Sequence, residues 1–215
     1  DKAIDEISDK NPLDFIDQFM DQFKVPQNLD LPRFSGGLAG YFGYETIQYI
    51  EPRLSKEFLE DKLDLPDILL MLSDEVVVFD NVSGKLYFVI YVDVTAQNAY
   101  EKGILRLNAL EEKLKQGPSP YLIEKNKFDD KLTEVSSEFG EENFLEAVEK
   151  VKEYIVNGDI MQVLLSQRLS QTFKSNPLSL YRTLRNLNPS PYMYFYNMDD
   201  HFVVGASPEI LVTLE

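Results

Sequence analysis

The stretch FSGGLAGYFGY at residues 34–44 combines four glycines with four aromatic residues. Aromatic side chains favour β-strands, and glycine inside a strand marks a place where another backbone approaches closely. Gly37, Gly40 and Gly43 follow a three-residue spacing that matches neither the dinucleotide-binding fingerprint nor a P-loop. We therefore interpret the stretch as a glycine-rich strand whose glycines are structural.

The sequence on both sides of this strand predicts a helix and a hairpin. Before it, residues 11–23 carry apolar side chains at helical spacing, with Asn11 as the N-cap and Pro12 at the first helical position. After it, residues 76–79 and 86–92 are β-branched and aromatic runs separated by turn-forming residues. Such a pair of runs is typical of a β-hairpin.

A polar, interrupted segment at residues 118–140 predicts an exposed linker between two domains. A leucine-rich helical pattern at residues 105–114 ends just before it, so the first domain is predicted to span residues 1–117. The second domain, residues 141–215, is predicted to open with an amphipathic helix at residues 141–156.

The remainder of the second domain shows a mixed pattern. It predicts a strand at 161–169, a helix at 178–187, a turn at 199–200 and strands at 192–196, 202–204 and 210–214. The last strand stops at Glu215 without a partner or cover, and the first residue is Asp1 rather than Met. We expect both ends of the chain to be cut from a longer protein.

Composition narrows the class of protein. With 44% apolar residues the chain is built to fold, but its apolar runs are shorter than the roughly 20 residues of a membrane span. The absence of cysteine excludes disulfides and thiolate chemistry and fits a cytoplasmic protein. A net charge of -16 argues against nucleic acid and anionic lipid as partners. An anionic substrate would need a local cation or N–H donors.

Isolated polar residues predict little chemistry. His201 is the single histidine and follows Asp199 and Asp200 in a predicted turn, so we interpret it as a surface residue. The spacing supports no Ser-His-Asp arrangement and no zinc cluster. The acidic residues of the region between 57 and 64 have lysines among them, which indicates a solvated helix face: Glu57, Glu60, Asp61 and Asp64.

Two short segments carry more information. In residues 188–193, NPSPYM, two prolines remove N–H donors and hold Ser190 extended beside an aromatic ring and a thioether. Such a rim suits an ammonium group and a flat ring, although the spacing by itself favours a rigid turn into a strand whose Tyr192 and Met193 join the core. In residues 205–209, GASPE, the alternatives are a bulge that aims Glu209 inward and a solvated turn.

Four ordered segments together resemble the large subunits of anthranilate synthases. They are PRFSGGLAGYFGY at 32–44, GDIMQVLLSQR at 158–168, NPSPYM at 188–193 and GASPE at 205–209. The resemblance covers nearly the whole chain: the family's amino-terminal domain up to about residue 117, and the opening of its chorismate-binding domain from about residue 141.

The resemblance implies a fold and a reaction. The fold is α+β, with antiparallel β-sheets and outer helices. The reaction adds ammonia to chorismate and eliminates pyruvate, with Mg2+, and a glutamine amidotransferase subunit supplies the ammonia. The family's magnesium ligands and catalytic groups belong to motifs expected beyond residue 215, so no catalytic residue and no metal ligand are predicted in this chain, which we expect to be inactive alone.

The resemblance also implies a regulatory site. In the family, the segment that matches residues 188–193 forms part of the pocket for tryptophan, the feedback inhibitor, which here assigns tryptophan binding to Asn188, Pro191, Tyr192 and Met193. The family completes this pocket with a Leu-Leu-Glu-Ser stretch near its amino terminus, and nothing of that form precedes Pro32.

Related functions define the alternatives. The large subunit of aminodeoxychorismate synthase shares the fold and substrate, but Tyr192 and Met193 after Pro191 favour the anthranilate branch. Isochorismate and salicylate synthases fit the pattern less well. Outside enzymes, the alternatives are a non-catalytic amino-acid-binding regulatory module and an acidic interaction subunit.

Overall fold

The computed structural model describes residues 11–26, 30–54, 62–117 and 133–213. The chain divides into two compact units, Asp1–Gly117 and Pro118–Glu215. In the described ranges all strand pairs are antiparallel and helices pack on them, which confirms the predicted α+β class. The predicted functional assignments of the two domains and the linker at 118–140 stay predictions.

The first helix, α1, spans Pro12–Met20 and confirms the predicted start. The Asn11 side-chain oxygen accepts a hydrogen bond from the Leu13 N–H at 3.0 Å, which satisfies one of the donors left free at a helix N-terminus. The helix ends three residues before the predicted limit, yet the Phe23 ring still contacts Phe19 at a centroid distance of 5.3 Å.

The glycine-rich strand is confirmed as β1, Gly37–Phe42, which pairs with β2, Ile68–Ser73. A Cβ at Gly40 would collide with the carbonyl oxygen of Leu69 and lie 2.9 Å from Leu70 Cα, so a partner backbone occupies the space of a side chain. Strand β2 was not predicted, because its apolar run is mostly leucine and methionine and lacks the β-branched and aromatic enrichment that separates a short strand from a helix segment. Two 3-10 helical turns, Tyr44–Tyr49 and Pro52–Leu54, follow β1.

The predicted hairpin is confirmed as β3, Glu75–Asp80, and β4, Lys85–Ile90. At its turn, the Asp80 carboxylate accepts hydrogen bonds from the N–H groups of Val82 at 2.9 Å and Ser83 at 3.1 Å. The Ser83 hydroxyl also donates to this carboxylate, and its hydrogen bond is the largest cause that holds the pKa of Asp80 below its ordinary value. The two N–H hydrogen bonds act in the same direction.

Helix α2, Ala99–Lys115, packs against β4 and extends the predicted leucine-rich helix toward its N-terminus. Arg106 donates from Nη2 to Glu75 Oε2 at 2.7 Å and also from Nε to Oε1. This bidentate pair joins α2 to the edge of the hairpin at the start of β3.

The second unit opens with a short pair, β5 (Ser136–Ser137) and β6 (Leu169–Ser170). Helix α3 spans Glu141–Val156, the predicted bounds. Helix α4, Pro177–Leu187, is capped by Asn176, whose side chain accepts from the Leu178 N–H at 2.8 Å.

Strands β7, Tyr192–Asn197, and β8, Phe202–Ser207, form the hairpin that completes the described part of the second unit. Helix α4 packs on this hairpin, and the rings of Tyr181 and Phe195 lie 5.9 Å apart. Both strands and the intervening turn confirm the prediction, with β8 three residues longer than expected.

Two predicted strands are wrong. The predicted strand at residues 161–169 survives only at its end, in β6, and residues 210–213 form no strand. A strand needs a partner for its backbone groups, and within the described ranges no strand pairs with these segments. Met161 is 97% exposed and Leu211 is 98% exposed, so the apolar pattern there corresponds to uncovered surface.

The predicted acidic helix face lies outside the described residues for Glu57, Glu60 and Asp61. Asp64, the fourth member of that predicted face, is described and is exposed. Among the described residues, no helix combines the length and apolar character of a membrane span.

Candidate functional site

The segment of residues 188–193 connects α4 to β7. Asn188 ends the helix: its N–H donates to the Leu184 carbonyl at 2.8 Å while its own φ of -137° leaves the helical region. Pro189 and Pro191 follow, and neither has an N–H to extend the helix or join a ladder. The segment therefore leaves α4 sharply and enters the hairpin at Tyr192.

The hydroxyl of Ser190 fastens this segment to the hairpin. It donates a hydrogen bond to the Ser207 carbonyl oxygen and accepts one from the Tyr192 N–H at 3.4 Å. Tyr192 and Ser207 are themselves the terminal partners of the β7–β8 ladder. Ser190 is partly buried, whereas Asn188 and Pro191 are exposed.

The four predicted tryptophan-binding residues are close in sequence but do not share one face. Successive side chains of a strand point to opposite sides of the sheet. Met193 shares its face with Phe195, which contacts Tyr181 of α4, whereas Tyr192 points to the other side. Asn188, Pro191 and Tyr192 are exposed, so three of the four form surface and Met193 joins the helix-covered side.

The face opposite α4 carries a row of tyrosines, which was not predicted. Tyr192, Tyr194 and Tyr196 alternate along β7, and the rings of the last two stack with centroids 5.4 Å apart. A Cβ at Gly205, the cross-strand partner of Tyr194, would collide with the Tyr194 ring. The alternation Tyr-x-Tyr-x-Tyr is the sequence signal that could have predicted this row.

This row presents flat aromatic surface to a ligand. Tyr192 is 43% exposed and Tyr194 is 37% exposed, and the proline-containing segment joins the row at Tyr192, the first residue of β7. Aromatic faces attract both other rings and cations, and carbonyl oxygens accept hydrogen bonds from an ammonium group. The row thus offers ring contacts of the kind that an aromatic side chain makes.

Residues 205–209 end the hairpin as a solvated turn. Strand β8 continues through Ser207, whose hydroxyl donates to the Glu209 carbonyl at 3.0 Å, and the Glu209 side chain is exposed. Of the two alternatives, the structure therefore contains the turn and not a bulge that aims Glu209 inward.

His201 is less exposed than the prediction of a surface residue implies. Its side chain is 19% exposed, and Nδ1 lies 2.6 Å from Asp200 Oδ1. This hydrogen bond is the largest cause that holds the pKa of Asp200 below its ordinary value. His201 lies between this turn and β8, and its carbonyl oxygen accepts a hydrogen bond from the Met198 N–H at 2.9 Å.

The segment 158–168 lies along the short pair of β5 and β6. Arg168 donates to the Glu138 carboxylate at 2.7 Å, and Gln167 accepts from the Ser137 hydroxyl at 3.1 Å. Its apolar middle is open, with Leu164 89% exposed. Polar contacts therefore hold the end of the segment, while its apolar side chains face solvent.

Metal binding finds no support in the described ranges. Across residues 11–26, 30–54, 62–117 and 133–213, no three His, Asp or Glu side chains are grouped to hold a metal ion. The side chains in these ranges do not fit a magnesium site, and the absence of metal ligands from the chain stays a prediction.

The first unit contains a separate groove of about 380 Å³ between α2 and β4. Its walls include the apolar side chains Leu86, Phe88, Leu107 and Leu114, with Glu111 and Lys115 among the polar ones. None of the predicted site residues belongs to it.

Comparison with known proteins relates this chain to a protein family. The chorismate binding enzyme family matches residues 1–215. Anthranilate synthase component 1 of Neisseria meningitidis serogroup B is 49% identical over 213 residues, covering 98% of this chain and 43% of that protein. The same component of Pseudomonas putida is 47% identical over 207 residues, covering 96% and 42%.

A more distant relative and a solved structure agree. Anthranilate synthase component 1 of Aquifex aeolicus is 43% identical over 210 residues, covering 96% of this chain and 42% of the relative. The crystal structure of anthranilate synthase component I from Streptococcus pneumoniae TIGR4 matches with a TM-score of 0.75 at 33% identity, covering 98% of this chain and 46% of that one. The chain spans less than half the length of the curated relatives that it matches.

Proposed function

Because this chain belongs to the chorismate-binding enzyme family, we propose that it forms part of the large subunit of an anthranilate synthase, a lyase that converts chorismate and ammonia to anthranilate and pyruvate. The observation that carries the proposal is the identity of 43–49% to relatives named anthranilate synthase component 1, over more than nine-tenths of the chain. The match of the fold to a solved component I supports it.

The proposal places the enzyme in tryptophan biosynthesis and assigns tryptophan feedback to the segment with Asn188, Pro191, Tyr192 and Met193. Two features support this assignment. The exposed Tyr192 ring begins a row of tyrosines that suits an indole, and the two neighbouring prolines hold the segment that leads into this row in an extended form. Since Met193 points to the α4 side, it acts on the ligand through the segment's conformation rather than from the tyrosine face.

The remaining parts of the reaction belong to the complete enzyme. Ammonia is proposed to come from glutamine through an amidotransferase subunit. The carboxylates of chorismate require a cation near them, because the chain's net charge of -16 repels an anion. We propose that Mg2+ supplies this positive charge and that its ligands lie outside residues 1–215. We also propose a cytoplasmic location, because the composition has no cysteine.

The test is the rate of anthranilate formation by the full-length protein. Chorismate, magnesium and ammonium are supplied, and anthranilate fluorescence is followed with and without tryptophan. The expected result is product formation that tryptophan suppresses. Formation of aminodeoxychorismate or isochorismate instead would contradict the anthranilate assignment, and failure to consume chorismate would favour a non-catalytic amino-acid sensor.

A further inference from the structure

The inference concerns Ser190, which lies between two prolines. Pro189 and Pro191 have no N–H groups, so the backbone of this segment offers few donors by which the hairpin could hold it. The Ser190 side chain takes over that role: its hydroxyl donates to the Ser207 carbonyl and accepts from the Tyr192 N–H at 3.4 Å.

The position of this contact gives it a specific effect. Tyr192 and Ser207 are the last pair of the ladder between β7 and β8, so the Ser190 hydroxyl adds one further bridge beyond the end of the ladder. Ser190 is partly buried, while the Asn188 and Pro191 side chains on either side are exposed. The hydroxyl thus anchors a segment whose other side chains face solvent.

We propose that Ser190 is a positioning residue, which holds residues 188–193 against the end of β8 in the conformation that binds tryptophan. The inference rests on the proposed function, because it takes the tryptophan role of this segment as given. Ser190 does not contact the ligand in this proposal. It fixes the direction of the Tyr192 ring and of the neighbouring carbonyl oxygens.

The effect of losing the hydroxyl follows from a population argument. Without the hydrogen bond from Ser190 to Ser207, residues 188–193 sample other conformations. The apparent affinity for tryptophan then falls in proportion to the fraction of molecules in which the segment keeps its binding-competent conformation. One net hydrogen bond changes the equilibrium constant between the competent and the other conformations about fivefold, which is the upper limit for the change in that fraction. Pro189 and Pro191 still restrict the backbone of the segment in such a variant. Loss of the Ser190 hydroxyl therefore changes the position of the segment rather than the folding of the protein.

The experiment compares tryptophan inhibition in variants of the full-length protein, each rate being normalised to that variant's own uninhibited rate. Ser190→Ala removes the hydroxyl, Ser190→Cys keeps nearly the same volume but has only a weak donor, and Ser190→Thr keeps the hydroxyl. Ser136→Ala is the matched control, because the Ser136 hydroxyl also bonds a cross-strand carbonyl, that of Ser170 at 3.4 Å, in the β5–β6 pair.

The tryptophan concentration for half-inhibition is expected to rise by up to about fivefold in Ser190→Ala and in Ser190→Cys, and to stay near the wild-type value in Ser190→Thr and Ser136→Ala. The Cys variant keeps the test valid if the Ala variant folds poorly. Wild-type inhibition curves in the Ala and Cys variants would overturn the inference, as would a Thr variant shifted as far as the Ala variant. If the wild-type enzyme itself makes anthranilate without responding to tryptophan, the feedback assignment and this inference fail together, while the proposed reaction stands.

Discussion

At the scale of single residues, two glycines make room for very different neighbours. The missing side chain of Gly40 is replaced by the backbone of β2, whereas that of Gly205 is replaced by the ring of Tyr194. Backbone in a paired strand cannot move without breaking the ladder, but the end of a tyrosine side chain can rotate or shift. The two positions should therefore differ in their tolerance of alanine.

We predict that Gly40→Ala lowers the free energy of unfolding by about 3 kcal/mol, the upper part of the range for overpacking, and Gly205→Ala by about 1 kcal/mol. Urea denaturation of the full-length protein measures both. The double variant Gly205→Ala with Tyr194→Ala serves as the control, because removing the ring should abolish the cost of the added methyl group. Equal losses of unfolding free energy in Gly40→Ala and Gly205→Ala would contradict the predicted difference between the two positions.

Tyr192 tests the proposed ligand surface at the same scale. Tyr192→Ala removes an aromatic ring that is 43% exposed, and loss of one stacking contact is expected to raise the tryptophan concentration for half-inhibition about tenfold. Tyr100→Ala is the matched control, since Tyr100 is 74% exposed on α2 in the other unit. The measurement is the inhibition curve of the full-length enzyme, and an unchanged curve for Tyr192→Ala would remove Tyr192 from the site.

At the scale of elements, the docking of α2 on its hairpin depends in part on charge. The hydrogen bonds from Arg106 hold the pKa of the Glu75 carboxyl below its ordinary value of 4.5. A group whose pKa is lowered by folding stabilises the fold above its unfolded pKa, and this contribution is lost as the pH falls through the folded value. Both side chains are accessible to solvent, so the contribution is small and sensitive to salt.

We predict that Glu75→Gln lowers the thermal midpoint slightly at pH 7, and that the difference from wild type narrows as the pH falls below 4.5. Added salt should narrow the difference at pH 7 as well. Thermal denaturation monitored by circular dichroism measures it, with Glu146→Gln on the exposed face of α3 as the control. A difference in thermal midpoint between Glu75→Gln and wild type that grows toward low pH would contradict a stabilising role of the Glu75–Arg106 ion pair.

At the scale of the whole molecule, large apolar side chains lie open along two segments of the second unit. Leu164 is 89% exposed and Val212 is 81% exposed, and neither segment pairs with a strand within the described ranges. Contiguous exposed apolar surface promotes association. We predict that a protein consisting of residues 1–215 alone binds 8-anilinonaphthalene sulfonate strongly and self-associates with rising concentration.

Sedimentation velocity of the 1–215 protein beside the full-length protein tests this prediction. Leu164→Lys in the 1–215 protein should reduce its self-association, whereas Leu187→Lys, at the 80% exposed end of α4, is the control for added charge. The same sample should yield no anthranilate from chorismate. A monodisperse 1–215 protein that binds no dye would show that these segments are covered in solution, and anthranilate production would place the catalytic groups within these residues.

Local patterns were sufficient wherever the physical cause of an element lies within a few residues. The cap at Asn11 and the limits of α3 were predictable because capping and helical periodicity act over one to four turns. Gly40 was assigned to a close backbone approach, although only the tertiary structure identifies β2 as the backbone concerned. The family resemblance was also readable, since four ordered motifs carry it.

The other elements depend on contacts between segments that are distant in the sequence. The segment at residues 161–168 contains the apolar run 163–165 and was predicted as a strand, but a strand exists only where another backbone satisfies its N–H and C=O groups, and that information is not local. Tyr192 and Met193, neighbours in the predicted site, lie on two faces because side chains alternate along a strand, which is local; only the packing of α4 decides which of the two faces is covered. The family resemblance suggested which ligand to expect, whereas the packing of α4 on the hairpin determined which side chains of β7 are exposed to meet it.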